Sequence, residues 1–194
     1  MWTRPRRTIK DLLTRPRNED VYLLAALAGF SNALDRASLR NAGDSSDLVT
    51  IFALCLVVGI FTGILWLWLY SALLRWTGRW IGGVASAGQI RLAMAWAMVP
   101  IIWSLLLWGP QLALFGDELF KSETPRMDAH PWAVMALAVV ELSIAAWAVV
   151  VGLKSLGEVQ GFSAWRALGN AAMAGAVLAI PLILIVLALA RSWD

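Results

Sequence analysis

Four long stretches of apolar residues dominate the chain, and short polar segments separate them. They cover residues 48–74, 92–115, 131–153 and 168–190. Each is longer than the roughly 20 residues that a helix needs to cross a hydrocarbon core of about 30 Å. The pattern therefore predicts an all-α fold, a polytopic bundle of membrane-spanning helices.

A fifth apolar stretch, residues 21–34, is shorter than the others. Its 14 residues form a helix only about 21 Å long. It spans the bilayer if the helix is extended and Arg17 and Arg36 reach back to the interfaces. A re-entrant segment or the core of a signal peptide are the alternatives. We favour an uncleaved span, which gives five transmembrane helices.

Composition supports membrane insertion and limits the number of domains. Of 194 residues, 60% are hydrophobic and 15% are charged, against about 45–50% and about 25% in soluble domains. The connections between the apolar stretches leave no room for a soluble domain. We therefore expect a basic segment, residues 1–20, followed by one transmembrane domain, residues 21–194.

The N-terminal segment carries six of the 16 Lys and Arg residues. Ile9, Leu12 and Leu13 follow helical spacing, which predicts a short amphipathic helix on the cytoplasmic leaflet, attracted by anionic lipid head groups. A basic anchor without fixed structure is the alternative. Nucleic-acid binding is disfavoured because the segment runs directly into an apolar stretch.

Loop charges place the N-terminus in the cytoplasm but do not fix the number of spans. With five spans, eleven Lys and Arg residues lie inside and five outside. With four spans the same two totals result, so the positive-inside rule does not separate the models. The C-terminus is outside in the five-span model and inside in the four-span model.

Motifs for catalysis, metals or cofactors are missing from the sequence. There is no phosphate-binding glycine loop, nucleophile elbow or zinc-protease motif. The single histidine, His130, and the single cysteine, Cys55, have no partners of a kind that would form a metal site. We predict no enzyme activity and no cofactor.

Glu141 lies near the middle of residues 131–153, where a carboxylate is costly unless it is neutral or paired. A protonated side chain bonded to a neighbouring helix would explain it. A role in moving protons or ions is the alternative, which would make the protein a transporter or channel subunit. Arg91, Ser104, Gln111 and Asn32 are the polar partners available on other helices.

Small residues four apart occur in three of the apolar stretches. They are Gly59-x-x-x-Gly63, Ala25-x-x-x-Gly29-x-x-x-Ala33 and Ala171-x-x-x-Gly175. Such spacing lets helix backbones approach closely in lipid. We expect packing within one bundle, with a homo-oligomer or a membrane-protein partner as the alternative.

Tryptophan is abundant, with 12 residues. Trp66, Trp68, Trp76 and Trp80 crowd the inner end of the second predicted span, residues 48–74, as in an interfacial belt. Three deeper tryptophans are expected to fill the core of the bundle: Trp96, Trp103 and Trp147.

Two inner loops form a candidate docking surface. Arg79, Gly82 and Gly83 follow the second predicted span, and residues 158–170 follow the fourth. The latter contain four further candidates: Glu158, Gln160, Phe162 and Trp165. We expect these loops to dock a partner or a lipid head group; the alternative is that they only hold the helices at the interface.

Several of these residues form motifs that resemble bacterial members of the Yip (Ypt-interacting protein) family. The motifs are Arg4-Pro5-x-x-Thr8-Ile9, Gly78-Arg79-Trp80-x-Gly82-Gly83, Arg91-x-Ala93-x-Ala95-Trp96-x-x-x-Pro100 and Glu158-Val-Gln-Gly-Phe-Ser163. Their order and spacing extend over almost the whole chain.

The resemblance implies five spans, a cytoplasmic N-terminus and an outer C-terminus, here in a bacterial inner membrane. In eukaryotic relatives it implies membrane trafficking with small Ypt/Rab GTPases as partners. Only about 20 residues precede the first predicted span here, unlike the long cytosolic region of those relatives. We therefore expect a membrane-organising or partner-binding protein.

Overall fold

The computed structural model describes residues 5–14 and 18–191, and all regular elements in them are helical. This confirms the all-α prediction for the described part of the chain. The helices are α1 (Pro5–Thr14), α2 (Asn18–Leu39), α3 (Leu48–Trp80), α4 (Ala87–Ala97), α5 (Val99–Phe115), α6 (Pro125–Ala129), α7 (Pro131–Gln160) and α8 (Ala164–Arg191), with 3₁₀ turns at Ala42–Asp44 and Gly116–Phe120.

Within the described residues, three helical stretches are long and apolar enough to cross a membrane. They are Leu48–Trp80, Ala87–Phe120 and Pro131–Gln160. These helices extend beyond the ends of the predicted apolar stretches. The apolar pattern marks only the part of each helix that lipid would surround, whereas the helix itself continues into the polar flanking residues. The short stretch 21–34 likewise lies inside α2, which has 22 residues.

The predicted span 92–115 is not one continuous helix. It is interrupted at Met98, between α4 and α5, and Pro100 lies buried at the start of α5. Proline has no N–H to donate to the carbonyl one turn earlier, and its ring crowds that carbonyl. Pro100 therefore accounts for the break that the apolar pattern alone did not show.

The most extensive contact between two described helices joins α2 to α3, through small residues. A Cβ atom added at Gly29 would lie 2.1 Å from the carbonyl oxygen of Gly59, and one at Gly63 would lie 2.3 Å from that of Ala25. The two stripes therefore pack on each other inside one bundle, as expected. Gly175 of α8 has nothing within 4 Å of such an atom, so the third stripe does not share this packing.

The bundle has two distinct ends. At the α1 end, α1 contacts α4 and α7. At the opposite end, the two 3₁₀ turns meet, and Phe120 is fully buried and stacked on Trp108.

Helix α1 forms as predicted, but its environment differs from the prediction. Ile9 is fully buried, and Leu12 and Leu13 pack against the same core. The apolar face therefore lies on the bundle, because α4 and α7 leave a hydrophobic surface there, and is not presented to the leaflet. Residues 1–4 and 15–17 of the predicted segment, which include Arg4, Arg15, Pro16 and Arg17, lie outside the described ranges.

The tryptophan prediction is only partly correct. Trp96 packs against the core. Trp103 and Trp147 are 51% and 43% exposed on the outside of the bundle, so they do not fill its centre. The apolar pattern of α5 and α7 has little amphipathic bias, and it therefore did not show which side each helix turns to its neighbours.

Candidate functional site

The end of α3 is shaped by two glycines. Gly82 has a φ of 83°, and its N–H donates to the carbonyl of Arg79 over 3.2 Å. The N–H of Gly83 donates to the carbonyl of Gly78 over 2.8 Å. This pair of bonds is the Schellman arrangement, in which glycine tolerates the left-handed conformation. It turns the chain sharply back toward the bundle.

Gln160, at the end of α7, enters the space that the glycines leave. Its side chain is 1% exposed. The amide nitrogen donates to the carbonyl of Leu74 over 3.2 Å, and the amide oxygen accepts from the N–H of Ala85 over 3.4 Å. Its backbone carbonyl accepts from Val84 over 3.3 Å. Gln160 therefore fixes the loop between α3 and α4 to α3 itself.

A second buried amide comes from α8. Asn170 is fully buried and donates to the same Leu74 carbonyl over 3.1 Å. The Thr77 hydroxyl lies 2.7 Å from the Asn170 amide oxygen. We call these five residues the amide junction: Thr77, Gly78, Gly83, Gln160 and Asn170. The junction ties α3, α7 and α8 together by hydrogen bonds that are buried and satisfied.

Glu158 holds α1 beside this junction. Its carboxylate lies 3.3 Å from Lys10 Nζ and 3.9 Å from Arg6 Nε. The Glu158 side chain is 18% exposed, while those of Arg6 and Lys10 are 51% and 68% exposed. The ion pairs therefore lie at the rim, and the burial of Ile9 supplies the contact beneath them.

In the loop between α7 and α8, Phe162 and Trp165 face different surroundings, although the sequence suggested that both lie on one docking surface. Phe162 is buried in the core at 9% exposure, whereas Trp165 is 82% exposed. Ser163 accepts from the N–H of Arg166 and so caps α8. Arg166 also donates to the carbonyl of Ile81 and lies 5.5 Å above the Phe162 ring.

Arg79 and Arg91 have different surroundings. Arg79 is exposed at the end of α3. Arg91, on α4, is half-buried, and its guanidinium carbon lies 3.5 Å from the centre of the Trp68 ring. That distance is typical of a cation–π contact. Pro100, the remaining candidate of this region, is buried and breaks the helix.

Glu141 belongs to a separate polar group, in the half of α7 that lies away from the α1 end. Its carboxylate accepts a hydrogen bond of 2.5 Å from Gln111 of α5, which is 9% exposed. Asp35 of α2 lies close enough to Glu141 for the two charges to repel each other. Three helices therefore contribute to this polar group. Of the four possible hydrogen-bond partners for Glu141 named from the sequence, Gln111 is the one that bonds to it.

The structure brings residues 78–83, residues 158–166 and helix α1 together, and it adds two residues that the motifs did not include. Thr77 and Asn170 complete the amide junction. Both are polar residues that lie one or two turns from the end of an apolar helix. That position in the sequence was the only indication that they form buried hydrogen bonds. Their pairing required knowing that α3 and α8 are neighbours.

Comparison with known proteins identifies the family of the chain. The family model described as the Yip1 domain matches residues 1–187. Searches of curated proteins and of solved structures return no match. The family match covers nearly the whole chain, including all the motifs at the α1 end. The protein is a multi-pass integral membrane protein that belongs to the Yip1 domain family.

Proposed function

We propose that this protein is a non-enzymatic membrane-organising protein that binds a partner or lipid head groups through the surface at its α1 end. The observation that carries the proposal is the contrast between that surface and what lies beneath it. The amide junction is buried and hydrogen-bonded, while Arg79, Trp80 and Trp165 are exposed around it. A rigid base that presents Arg and Trp suits binding at a membrane interface.

We further propose five spans in a bacterial inner membrane. Helix α2 packs along α3 through the Gly29–Gly63 contact, so it runs beside a helix long and apolar enough to cross. Its 22 residues correspond to about 33 Å, and the 28 residues of α8 to about 42 Å. Both lengths are sufficient for spanning helices, which supports the family-based topology.

For orientation, we propose that the α1 end is cytoplasmic and that the C-terminus is outside. The exposed basic residues near α1 support this choice under the positive-inside rule. A reporter fused to the C-terminus, active only outside the cytoplasm, tests it. A reporter that is active only in the cytoplasm would overturn the five-span topology.

A photo-crosslinking experiment in native membranes tests the binding surface. A photoreactive residue at position 165 replaces Trp165, and one at position 132 replaces Trp132, which is 80% exposed at the opposite end. We expect a defined protein or lipid adduct at position 165 that Arg79→Ala abolishes. Equal adduct patterns at the two positions, or no effect of Arg79→Ala, would contradict the proposal.

A transporter or channel subunit is the second candidate, favoured by the group formed by Glu141, Gln111 and Asp35. Acidic groups inside a membrane commonly mark ion or proton pathways. Glu141→Gln keeps an acceptor for Gln111 but removes the charge. If it leaves cellular activity intact while Arg79→Ala or Arg91→Ala abolishes it, the transport function fails. The reverse result would overturn the binding function.

A further inference from the structure

The basic side of α1 is exposed, because the apolar side of this helix is used by the bundle. Ile9 is fully buried in the core. Arg7 precedes Ile9 by two residues, which turns it about 200° away around the helix, and it is exposed. The side chains of Arg6 and Lys10 are 51% and 68% exposed. Helix α1 therefore presents three cations on the surface that the core does not cover.

The carboxylates near α1 neutralise only part of this charge. Glu158 lies within ion-pair distance of Arg6 and Lys10, and the ion pairs between described residues do not include Arg7. The helix itself contains three cations and the single carboxylate of Asp11, a net charge of +2. The guanidinium of Arg7 is therefore available to an anion from outside the described chain, and guanidinium groups bind phosphate oxygens especially well.

The position of α1 along the bundle indicates where such a phosphate comes from. Lys154 is exposed and directly follows the apolar stretch 131–153 of α7. Glu158, which holds α1, is four residues further on, or about 6 Å along the helix. The head-group layer on each side of a bilayer is about 5–7 Å thick. With α7 spanning the membrane, α1 packs at the depth of the lipid phosphates. An acidic protein segment would have to enter that layer to reach the same cations.

The burial of Ile9 determines how lipid is bound. A helix on a membrane surface usually anchors itself by placing its apolar face at the acyl-chain boundary, but the bundle already covers that face of α1. Attraction between charges remains, which contributes about fivefold in affinity per basic residue and is screened by salt. We propose that Arg6, Arg7 and Lys10 bind the phosphates of anionic phospholipids, without insertion of α1 among the acyl chains. This surface rests on the proposed function and names its ligand class.

Native mass spectrometry in mild detergent tests the surface, with equal amounts of phosphatidylglycerol and phosphatidylcholine of matched acyl chains. We expect wild type to prefer phosphatidylglycerol at least tenfold and Arg7→Gln to reduce that preference about fivefold. Joint replacement of Arg6, Arg7 and Lys10 by Gln should remove it. Raising the salt from about 0.1 M to about 1 M, which shortens the Debye length from about 10 Å to about 3 Å, should weaken it. Arg40→Gln, at an exposed arginine of the opposite end, should behave as wild type.

A second measurement needs no substitution and so covers a triple variant that fails to fold. The protein is placed in nanodiscs with phosphatidylglycerol that carries a photoreactive group either on the head group or at the end of an acyl chain. We expect the head-group probe to label residues 5–14 and the acyl-chain probe to leave them unlabelled. Labelling of residues 5–14 by the acyl-chain probe would overturn the contact without insertion.

Three other results would overturn the surface itself. They are a head-group probe that leaves residues 5–14 unlabelled, an unchanged preference in Arg7→Gln, and displacement of phosphatidylglycerol by equimolar inorganic phosphate. A photoreactive residue at position 14, which is exposed on α1, separates lipid from protein in native membranes. Protein adducts without lipid adducts at that position would exclude a lipid surface.

This proposal and the proposed function fail in distinguishable ways. If Arg79→Ala abolishes the adduct at position 165 while Arg7→Gln leaves the lipid preference unchanged, only the lipid surface of α1 is wrong. If the adduct at position 165 does not depend on Arg79 while the head-group probe still labels residues 5–14, the proposed binding function of the loops is wrong and the lipid contact of α1 stands. Lipid preference in detergent is measured independently of orientation.

Discussion

The side chain of Gln160 occupies the space that a Cβ atom at Gly78 would fill. Such an atom would lie 2.3 Å from Nε2 of Gln160 and 3.0 Å from Nδ2 of Asn170. At Gly83 it would lie 2.3 Å from Oε1 of Gln160. Gly78 and Gly83, at the end of α3, thus both contact the side chain of Gln160, at the end of α7. This contact explains why motifs far apart in sequence belong to one site.

The first prediction concerns this contact. Gly78→Ala should destabilise the protein by about 1–3 kcal/mol, because the methyl group displaces a buried, hydrogen-bonded amide. The measurement is the fraction of monodisperse protein after heating in detergent. Gly169→Ala is the control, since no atom lies within 4 Å of an added Cβ there, and it should be neutral or slightly stabilising. Equal effects of the two substitutions would contradict the packing described.

The second prediction concerns the hydroxyl of Thr77. Thr77→Val preserves shape but leaves the Asn170 amide oxygen without the donor 2.7 Å away. An unsatisfied buried acceptor costs about 1–3 kcal/mol, so thermal stability should fall. Thr62→Val is the matched control, because the Thr62 hydroxyl bonds only to carbonyls of its own helix. If Thr62→Val destabilises as much, the Thr77 bond has no special role.

The third prediction concerns the crossing of α2 and α3. Gly29→Ala places a methyl group 2.1 Å from the backbone carbonyl of Gly59, and backbone cannot move aside as a side chain can. The helices must separate, with an expected loss of about 1–3 kcal/mol and a lower yield of folded protein. Gly175→Ala, at a position where no atom lies within 4 Å of an added Cβ, should leave yield and thermal stability unchanged. A normal yield for Gly29→Ala would disprove the close crossing.

The fourth prediction concerns the docking of α1. Glu158→Gln removes the partner of Lys10 and Arg6, and rim ion pairs contribute about 0.2–1 kcal/mol. Hydrogen exchange of residues 5–14 should therefore accelerate up to about fivefold, and high salt should mimic the substitution. Asp11→Asn removes an equal charge from exposed Asp11 and should not accelerate exchange. An unchanged rate in Glu158→Gln would mean that the apolar contacts of Ile9, Leu12 and Leu13 hold α1 without the ion pairs.

The fifth prediction concerns pH and the start of α3. The Thr50 hydroxyl, and then the N–H of Thr50, donate to Asp47 and hold the pKa of its carboxyl below the ordinary value. Because the pKa of the Asp47 carboxyl is lower in the folded state than in the unfolded state, its ionised form stabilises the fold at pH values above the unfolded-state pKa, near 4. This contribution is lost as the pH falls through the folded-state pKa. Wild type should thus lose stability relative to Asp47→Asn as pH falls below about 4. Parallel thermal-stability curves for the two proteins would refute this.

Much of the architecture follows from the sequence because helices in lipid are local structures. Every backbone group inside an apolar stretch must bond within its own helix, so an apolar run fixes an element without knowledge of its neighbours. The Gly29 and Gly63 stripes predicted a close approach of helix backbones, because small residues four apart permit it in lipid, but the sequence did not decide between packing within one bundle and packing between proteins. The break at Met98 was not predicted, because the apolar run continues through Pro100.

The candidate site was only partly predictable. Arg79, Gly82, Gly83 and Gln160 could be selected from motifs, but the motif did not show that Gln160 is buried while Trp165 faces outward. Helices with little amphipathic bias give no sign of their inward face. For the same reason the partner of Glu141 stayed open among four residues until α5 and α7 were seen to be adjacent.

The order of amino acids is enough to identify a helical membrane protein, to locate its long helices and to mark the residues that are unusual within them. Hydrophobicity and helix periodicity suffice for these properties because they act over a few neighbouring residues. Which of these unusual residues contact one another follows from the packing of the helices in three dimensions. The joining of Gln160 and Asn170 on the Leu74 carbonyl, the burial of Ile9 and the contact of Arg91 with the Trp68 ring depend on how helices dock, and side-chain shape at each contact sets that docking.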